Sequence, residues 1–361
     1  MLVFWLSCLA GSGQGIASSA FLEQLKASFT RWDLDRNGQL SVQEIDKAVA
    51  NPEVKGAAAA VAAALRRAAH NKSYELPQLT LANLTQMVPY DKTRTKLPDL
   101  ESLYSAAFTR IAQANHELFP AGPPDLAKLH QGRLGDCFCL APMGAMINRD
   151  PKQVMQMFSP GRDGTCTVNF GGKQSVKVLM PTDAEIAVMA STEGDGVWLN
   201  VYEKAIGLAR SKQGDDPANA INVVNKGGSA GTMVAFVTGH EIKRISCSPW
   251  RDPKVTEAER KQQLEELRAA LVSNQQKRRL ICGGTGASRK IPAILGNHAY
   301  AILHYDIQTD LITLWNPNGN TFHPKGPAGL VNGYETVNGR FTLPLTELVI
   351  FFGGFSFEQD Q

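Results

Sequence analysis

Seven residues, Gln131-Gly132-Arg133-Leu134-Gly135-Asp136-Cys137, set a thiol behind two glycines and an aspartate. The apolar run that follows, residues 138–147, predicts a helix. Cys137 therefore sits at the positive end of a helix dipole, where the thiolate is favoured. The thiolate is the nucleophilic form of cysteine, so this is a place for thiol chemistry. Gln131 opens the segment with an amide N–H pair that can point at a developing oxyanion. The same letters also suit a glycine-rich turn before a core helix with an inert cysteine.

The far end of the chain supplies a base. In Gly296-Asn297-His298-Ala299-Tyr300-Ala301-Ile302-Leu303 a histidine opens an alternating, strand-like run. A turn around Gln308-Thr309-Asp310 leads to a second apolar run, residues 311–315, which ends in Asn316-Pro317-Asn318-Gly319. Two strands joined so closely should pair as a hairpin. His298 then enters where Asn316 leaves, and the asparagine oxygen can accept from one imidazole nitrogen. That bond fixes the tautomer and frees the other nitrogen for a thiol. Cys137, His298 and Asn316 are the expected nucleophile, general base/acid and orienting group.

These segments resemble the calpain family of cysteine proteases, whose core has a papain-like fold. The resemblance rests on Q-G-x-L-G-D-C ending at Cys137, H-A-Y from His298, and N-P-x-G from Asn316. Weaker echoes are Val197-Trp198 with Glu203-Lys204-Ala205, Gly227-Gly228 with Thr238-Gly239, and Asn338-Gly339-Arg340-Phe341. The resemblance covers residues from about Asp125 to the C-terminus. It implies an α+β fold: a two-subdomain core with a helical Cys half and a β-rich His/Asn half. It further implies endopeptidase activity on protein or peptide substrates through Cys137, His298, Asn316 and the Gln131 oxyanion donor. Gly227 and Gly228 form a candidate strip where a substrate backbone comes close, with an ordinary turn as the alternative. Two departures stand out. Asn318 replaces the family's tryptophan, and Ala127-Lys128-Leu129-His130 lacks the aspartate that serves the family as a core calcium ligand. Gating by calcium inside the core is therefore drawn into question, and a fragment starting near Asp125 is expected to cleave without calcium, provided the linker helix is not needed for folding.

A second motif lies upstream. In Asp33-Leu34-Asp35-Arg36-Asn37-Gly38-Gln39-Leu40-Ser41-Val42-Gln43-Glu44, side-chain oxygens fall at the spacing of an EF-hand calcium loop, with glycine at its sharp turn. Asp33, Asp35, Asn37, the Gln39 carbonyl, Ser41 and a bidentate Glu44 are the expected Ca2+ ligands. Residues 56–69 and 71–87 suggest a partner hand whose loop has lost its acidic spacing.

The expected organisation is a signal peptide over 1–20, a small all-α EF-hand module over 21–90, a helix and breaker-rich linker over 91–124, and the peptidase core over 125–361. The run Leu2-Val3-Phe4-Trp5-Leu6 is too short to span a bilayer. Followed by small residues, it favours a secreted or periplasmic protein, with a cytoplasmic one as the alternative. No transmembrane span is expected. With 37 basic and 34 acidic residues, the charge gives no case for nucleic acid. Six cysteines follow no metal-ligand rhythm. Cys247 and Cys282 are left open as a pair, and His304 shares a strand face with His298 by the period of two, which keeps zinc as a minor reading. Two other functions compete: a decayed, calcium-dependent binding protein, against which the intact triad speaks, and a transglutaminase-like acyltransferase, which would normally use aspartate where Asn316 stands. Oligomeric state is left open.

Overall fold

The computed structural model describes residues 19–212, 216–287 and 291–360. The leader expected over 1–20 thus lies, save for its last two residues, outside the described residues. The first helices are α1 (Ala20–Trp32), α2 (Val42–Ala50), α3 (Gly56–Ala69) and α4 (Leu81–Gln86). Ser19, Ser41 and Thr80 cap three of them, and Ser41 forms a full capping box with Glu44. α3 is nearly all alanine, the best helix former, and its small side chains let neighbouring helices close around it. Residues 59–64 are fully buried. The two inter-helix loops lie side by side, with Leu40 N–H donating to Leu79 O at 3.0 Å and Gln39 bridging Thr80. The stretch 71–87 is helical only in α4. Helix α5 (Leu100–Gln113) stops short of residue 118, because Ala114 is extended and Asn115 turns its side chain onto the Glu117 N–H.

These helices do not form a free-standing module. Their core includes Leu134, Ala184, Val188, Met189 and Ile221, all from beyond residue 125. The boundary expected at 124/125 is therefore no boundary in packing.

The middle of the chain is mostly helical: α6 (Cys137–Arg149), α7 (Pro151–Gln156), α8 (Asp183–Val188), α9 (Trp198–Arg210), α10 (Ala220–Val224) and α11 (Ala230–Thr238). A three-stranded antiparallel sheet, β1 (Phe158–Pro160), β2 (Thr165–Asn169) and β3 (Ser175–Leu179), lies among them.

The last third builds a seven-stranded antiparallel sheet. Its strands are β4 (Ile242–Ser246), β5 (Ile281–Thr285), β6 (Ala299–Asp306), β7 (Leu311–Trp315), β8 (Thr336–Val337), β9 (Arg340–Pro344) and β10 (Phe352–Glu358). Their order is β4-β10-β5-β6-β7-β9-β8, with α12 (Glu257–Gln276) packed on the sheet. Between β9 and β10 lies α13 (Leu345–Phe351), where Leu345, Leu348 and Val349 bury one helical face. A bulge between Ile302 and His304 breaks the period of two and leaves His304 exposed, which removes the shared face that a zinc reading needs. Cys247 and Cys282 are both buried free thiols.

Candidate active site

Cys137 is the first residue of α6, and the rest of that helix is buried on almost every side. Gly144 is where α6 meets the large sheet: a Cβ there would lie 2.4 Å from the Trp315 ring. The absent side chain thus lets Trp315, the last residue of β7, lie flat on the nucleophile helix. Trp315 carries Asn316 next to it, and the β6–β7 pairing brings Ala301 opposite Trp315. Asn316 is held through its N–H to Gly339 O at 2.8 Å and its Nδ2 to Asn320 Oδ1 at 2.8 Å.

His298 immediately precedes β6 and is 8% exposed, and Asn316 is 2% exposed. His298 Nε2 lies 2.8 Å from Asn316 Oδ1. The oxygen can only accept, so Nε2 carries the proton and Nδ1 is left bare. The Tyr300 ring stands edge-on to the imidazole, 5.0 Å between centroids, and limits its rotation. Burial pulls the His298 pKa down to about 4, against a smaller upward pull from Asn316.

The Cys137 sulfur receives a backbone N–H from Ala299, the residue after His298. Burial pushes the thiol up, and the Asp136 charge adds to it. The N–H groups of Ala299, Phe138 and Cys137 pull the other way without overcoming burial. At neutral pH the resting pair is therefore a thiol and a neutral imidazole.

Gln131 differs from its sequence expectation. Its Nε2 donates to Leu134 O at 2.7 Å and to Asp136 Oδ1 at 2.8 Å. Both amide hydrogens are spent inside the loop, so none remains for an oxyanion in this arrangement. Gln131 instead fixes the turn that presents Cys137. Gly132 serves the same turn by close approach, since a Cβ there would lie 2.2 Å from Met189 O.

Beneath the nucleophile lies a pair of carboxyl groups that sequence reasoning did not single out as functional. Asp136 and Glu203 are both fully buried, and each is raised by burial. Glu203 is pushed well above the carboxylate range, first by burial and then by the neighbouring Asp136 charge. Its oxygens accept from Ala190 N–H at 3.1 Å. The nearby guanidinium of Arg110, from α5, steadies its charged form and also donates to Met189 O and Ala190 O. The signal in the sequence was a glutamate in the middle of an apolar helix, flanked by Val201, Tyr202, Ala205 and Ile206.

Gly227 and Gly228 do lie beside this loop. Gly228 packs so closely on the Phe138 ring that a Cβ would sit 2.6 Å from it, and Gly227, at φ +77°, gives its carbonyl to Arg210 at 2.9 Å. Arg210 in turn stands 4.6 Å over Phe138.

A separate cluster is suited to a hard cation. Carboxylate oxygens of Asp33, Asp35 and Glu44 lie within 4.8 Å of one another. Gly38 at φ +83° makes the sharp turn, and Asp33 takes the N–H groups of Asn37 and Gly38 at 3.1 and 2.9 Å. Glu44 faces the loop with one oxygen on Leu34 N–H at 2.6 Å and the other on Ser41 N–H at 2.8 Å. Three carboxylates converging this closely are a donor set that oxygen-seeking cations favour.

The model of the calpain family cysteine proteases matches residues 108–327, more than half of the chain, and the protein belongs to that family. It is thus a cysteine peptidase by family, and its mixed helix and sheet architecture is consistent with a calpain protease core. No curated protein matches the chain.

Proposed function

We propose that this protein is an endopeptidase of protein or peptide substrates, working through Cys137, His298 and Asn316, with calcium held separately in an EF-hand at 33–44. The observation that carries the catalytic reading is the 2.8 Å bond from His298 Nε2 to Asn316 Oδ1. It leaves Nδ1 as the base, while the thiol touches the backbone of the very next residue. As the Cys137 sulfur bonds the scissile carbonyl carbon, its proton passes to Nδ1, and the carbonyl electron pair moves onto oxygen. The Cys137 N–H, at the helix start, is the donor for that oxyanion. Collapse breaks the C–N bond, and the amine leaves with the proton from Nδ1. Water then gives a proton to Nδ1 as its oxygen attacks the thioester; the C–S bond breaks, the acid leaves, and Nδ1 returns the proton to the Cys137 sulfur. Gly227 and Gly228 offer backbone beside this point for an extended substrate.

The calcium reading rests on the converging oxygens of Asp33, Asp35 and Glu44, with Asn37, the Gln39 carbonyl and Ser41 completing the expected set. Calcium would brace the loop between α1 and α2 and takes no part in the chemical step. Within the core, Lys128 Nζ sits 2.9 Å from Asp195 Oδ1 and pairs that carboxylate with a side-chain cation.

A thiol-reactive peptidyl epoxide, applied with and without calcium, tests the nucleophile. Mass spectrometry should place the label on Cys137, and Cys137→Ser should remove both label and peptidase activity. Labelling of Cys139 or Cys282 would overturn the assignment.

A further inference from the structure

Between the C-terminal end of α3 and the nucleophile loop lies a cavity of about 400 Å³ that the proposed chemistry does not use. No carboxylate lines it. Of its cations, Arg66 and His70 are already matched by Asp46, at 3.3 and 2.9 Å. Arg67, Lys72 and Arg133 also line it, and none of the three has an ion-pair partner among the described residues. Arg67 is half-buried, and after burial the largest force acting on its charge is repulsion from Arg133. Two like charges lining one concave site are stabilised by an anion placed between them. Tyr74 adds a hydroxyl, and Asn225, whose oxygen is taken by the Gly135 N–H at 2.8 Å, offers its amide nitrogen.

We propose that this pocket binds an oxyanion, a phosphate or a carboxylate, bridged by Arg67 of α3 and Arg133 of the nucleophile loop. Arg133 lies in the loop that ends at Cys137, and Gly227 follows Asn225 closely, so the occupant ties the N-terminal helices to the edge of the proposed substrate strip. Two sources share this chemistry: a free inorganic anion, and an acidic side chain of a bound substrate. The second source rests on the peptidase reading, and the first does not.

Calorimetry of the full chain with inorganic phosphate tests binding without any need for activity. The expected result is one saturable site at low salt, weakened at least about tenfold in Arg67→Gln and in Arg133→Gln and largely kept in Arg67→Lys. Arg133 is exposed, so its variant keeps the test valid should Arg67→Gln fail to fold. Paired peptides that differ only by Glu or Gln on the amino-terminal side of the cleaved bond separate the sources. A substrate carboxylate in the pocket gives a kcat/KM preference for Glu of about tenfold, which Arg67→Gln abolishes and phosphate competes away. A free anion gives equal values for the two peptides, with phosphate changing both alike. Absence of phosphate binding together with absence of a Glu preference overturns the proposal. So does binding that survives both glutamine variants unchanged.

Discussion

The most exposed consequence of the site is how it should respond to acid. His298 is buried and its pKa is pulled from 6.5 to about 4. Well above pH 6.5 neither the folded nor the unfolded chain protonates this ring, so it leaves stability unchanged. Between pH 6.5 and about 4 the unfolded chain takes a proton that the folded chain refuses, and stability falls as pH falls. The full loss is about 3 kcal/mol, and about 2.5 kcal/mol of it is reached by pH 4.5. Urea unfolding of the native chain and of His298→Gln at pH 7.5 and pH 4.5 measures this directly. Other titrating groups contribute to both proteins, so the difference between the two pH dependences isolates the imidazole. The native chain should lose about 2.5 kcal/mol more than the variant on going to pH 4.5. The same ring, neutral and competent as a base, should place the acid limb of kcat/KM near pH 4. Parallel pH dependences, or an acid limb near 6.5, would refute the argument that burial rather than solvent sets this histidine.

Asn316→Ala leaves the buried Nε2–H without an acceptor and frees the ring to turn; kcat/KM should fall about 10²-fold, less than in Cys137→Ser, as read in a steady-state peptidase assay. Glu44→Gln removes the charge of the expected bidentate ligand. Calorimetry should show calcium binding, with Kd on the order of 10⁻⁵ to 10⁻³ M, in the native chain and none in the variant. A fragment starting at Asp125 is expected to be insoluble or unfolded by circular dichroism, because the helices before it are needed for folding. It strips the cover from Leu134, Val188, Met189 and Ile221. At about 1.5–3 kcal/mol for each such side chain, the loss rivals the whole stability of a typical domain.

What could be read in advance followed from local pattern. The apolar run after Cys137 announced α6, and the alternation after His298 announced β6 with its partner β7. The hairpin alone then placed Asn316 beside His298. What could not be read depends on partners distant in sequence. Gln131 is a local exception: its acceptors, Leu134 O and Asp136, lie three and five residues on, but only the folded turn bends them back onto its amide. Glu203 is pushed up first by burial and then by the Asp136 charge, and both arise only when α9 packs against the nucleophile loop. His304 lost its place beside His298 to a single bulge, which periodicity does not announce. The division into module and core failed for a related reason. Composition marks the linker at residues 119–124, but apolar residues on either side of it, Leu65 and Leu100 before and Val188 and Ile221 after, share one cluster.

That continuity limits what calcium at 33–44 can do. The loop opens into α2, and Asp46 on α2 binds Arg66 and His70 of α3 as well as Asn222 of the protease core, the last at 2.7 Å. Val49 O, at the far end of α2, accepts from Thr182, whose side chain also caps α8. α8 in turn gives Val188 O to the Arg133 N–H of the nucleophile loop at 3.2 Å. A helix tied at both ends to the core has no room for the large opening by which calcium sensors expose a groove. Calcium bound at 33–44 would act on stability and on the resting position of α2, and through Asn222 and Thr182 on the firmness of the Cys137 loop. The proposed chemical step runs through Cys137, His298 and water, and no part of it is routed through calcium.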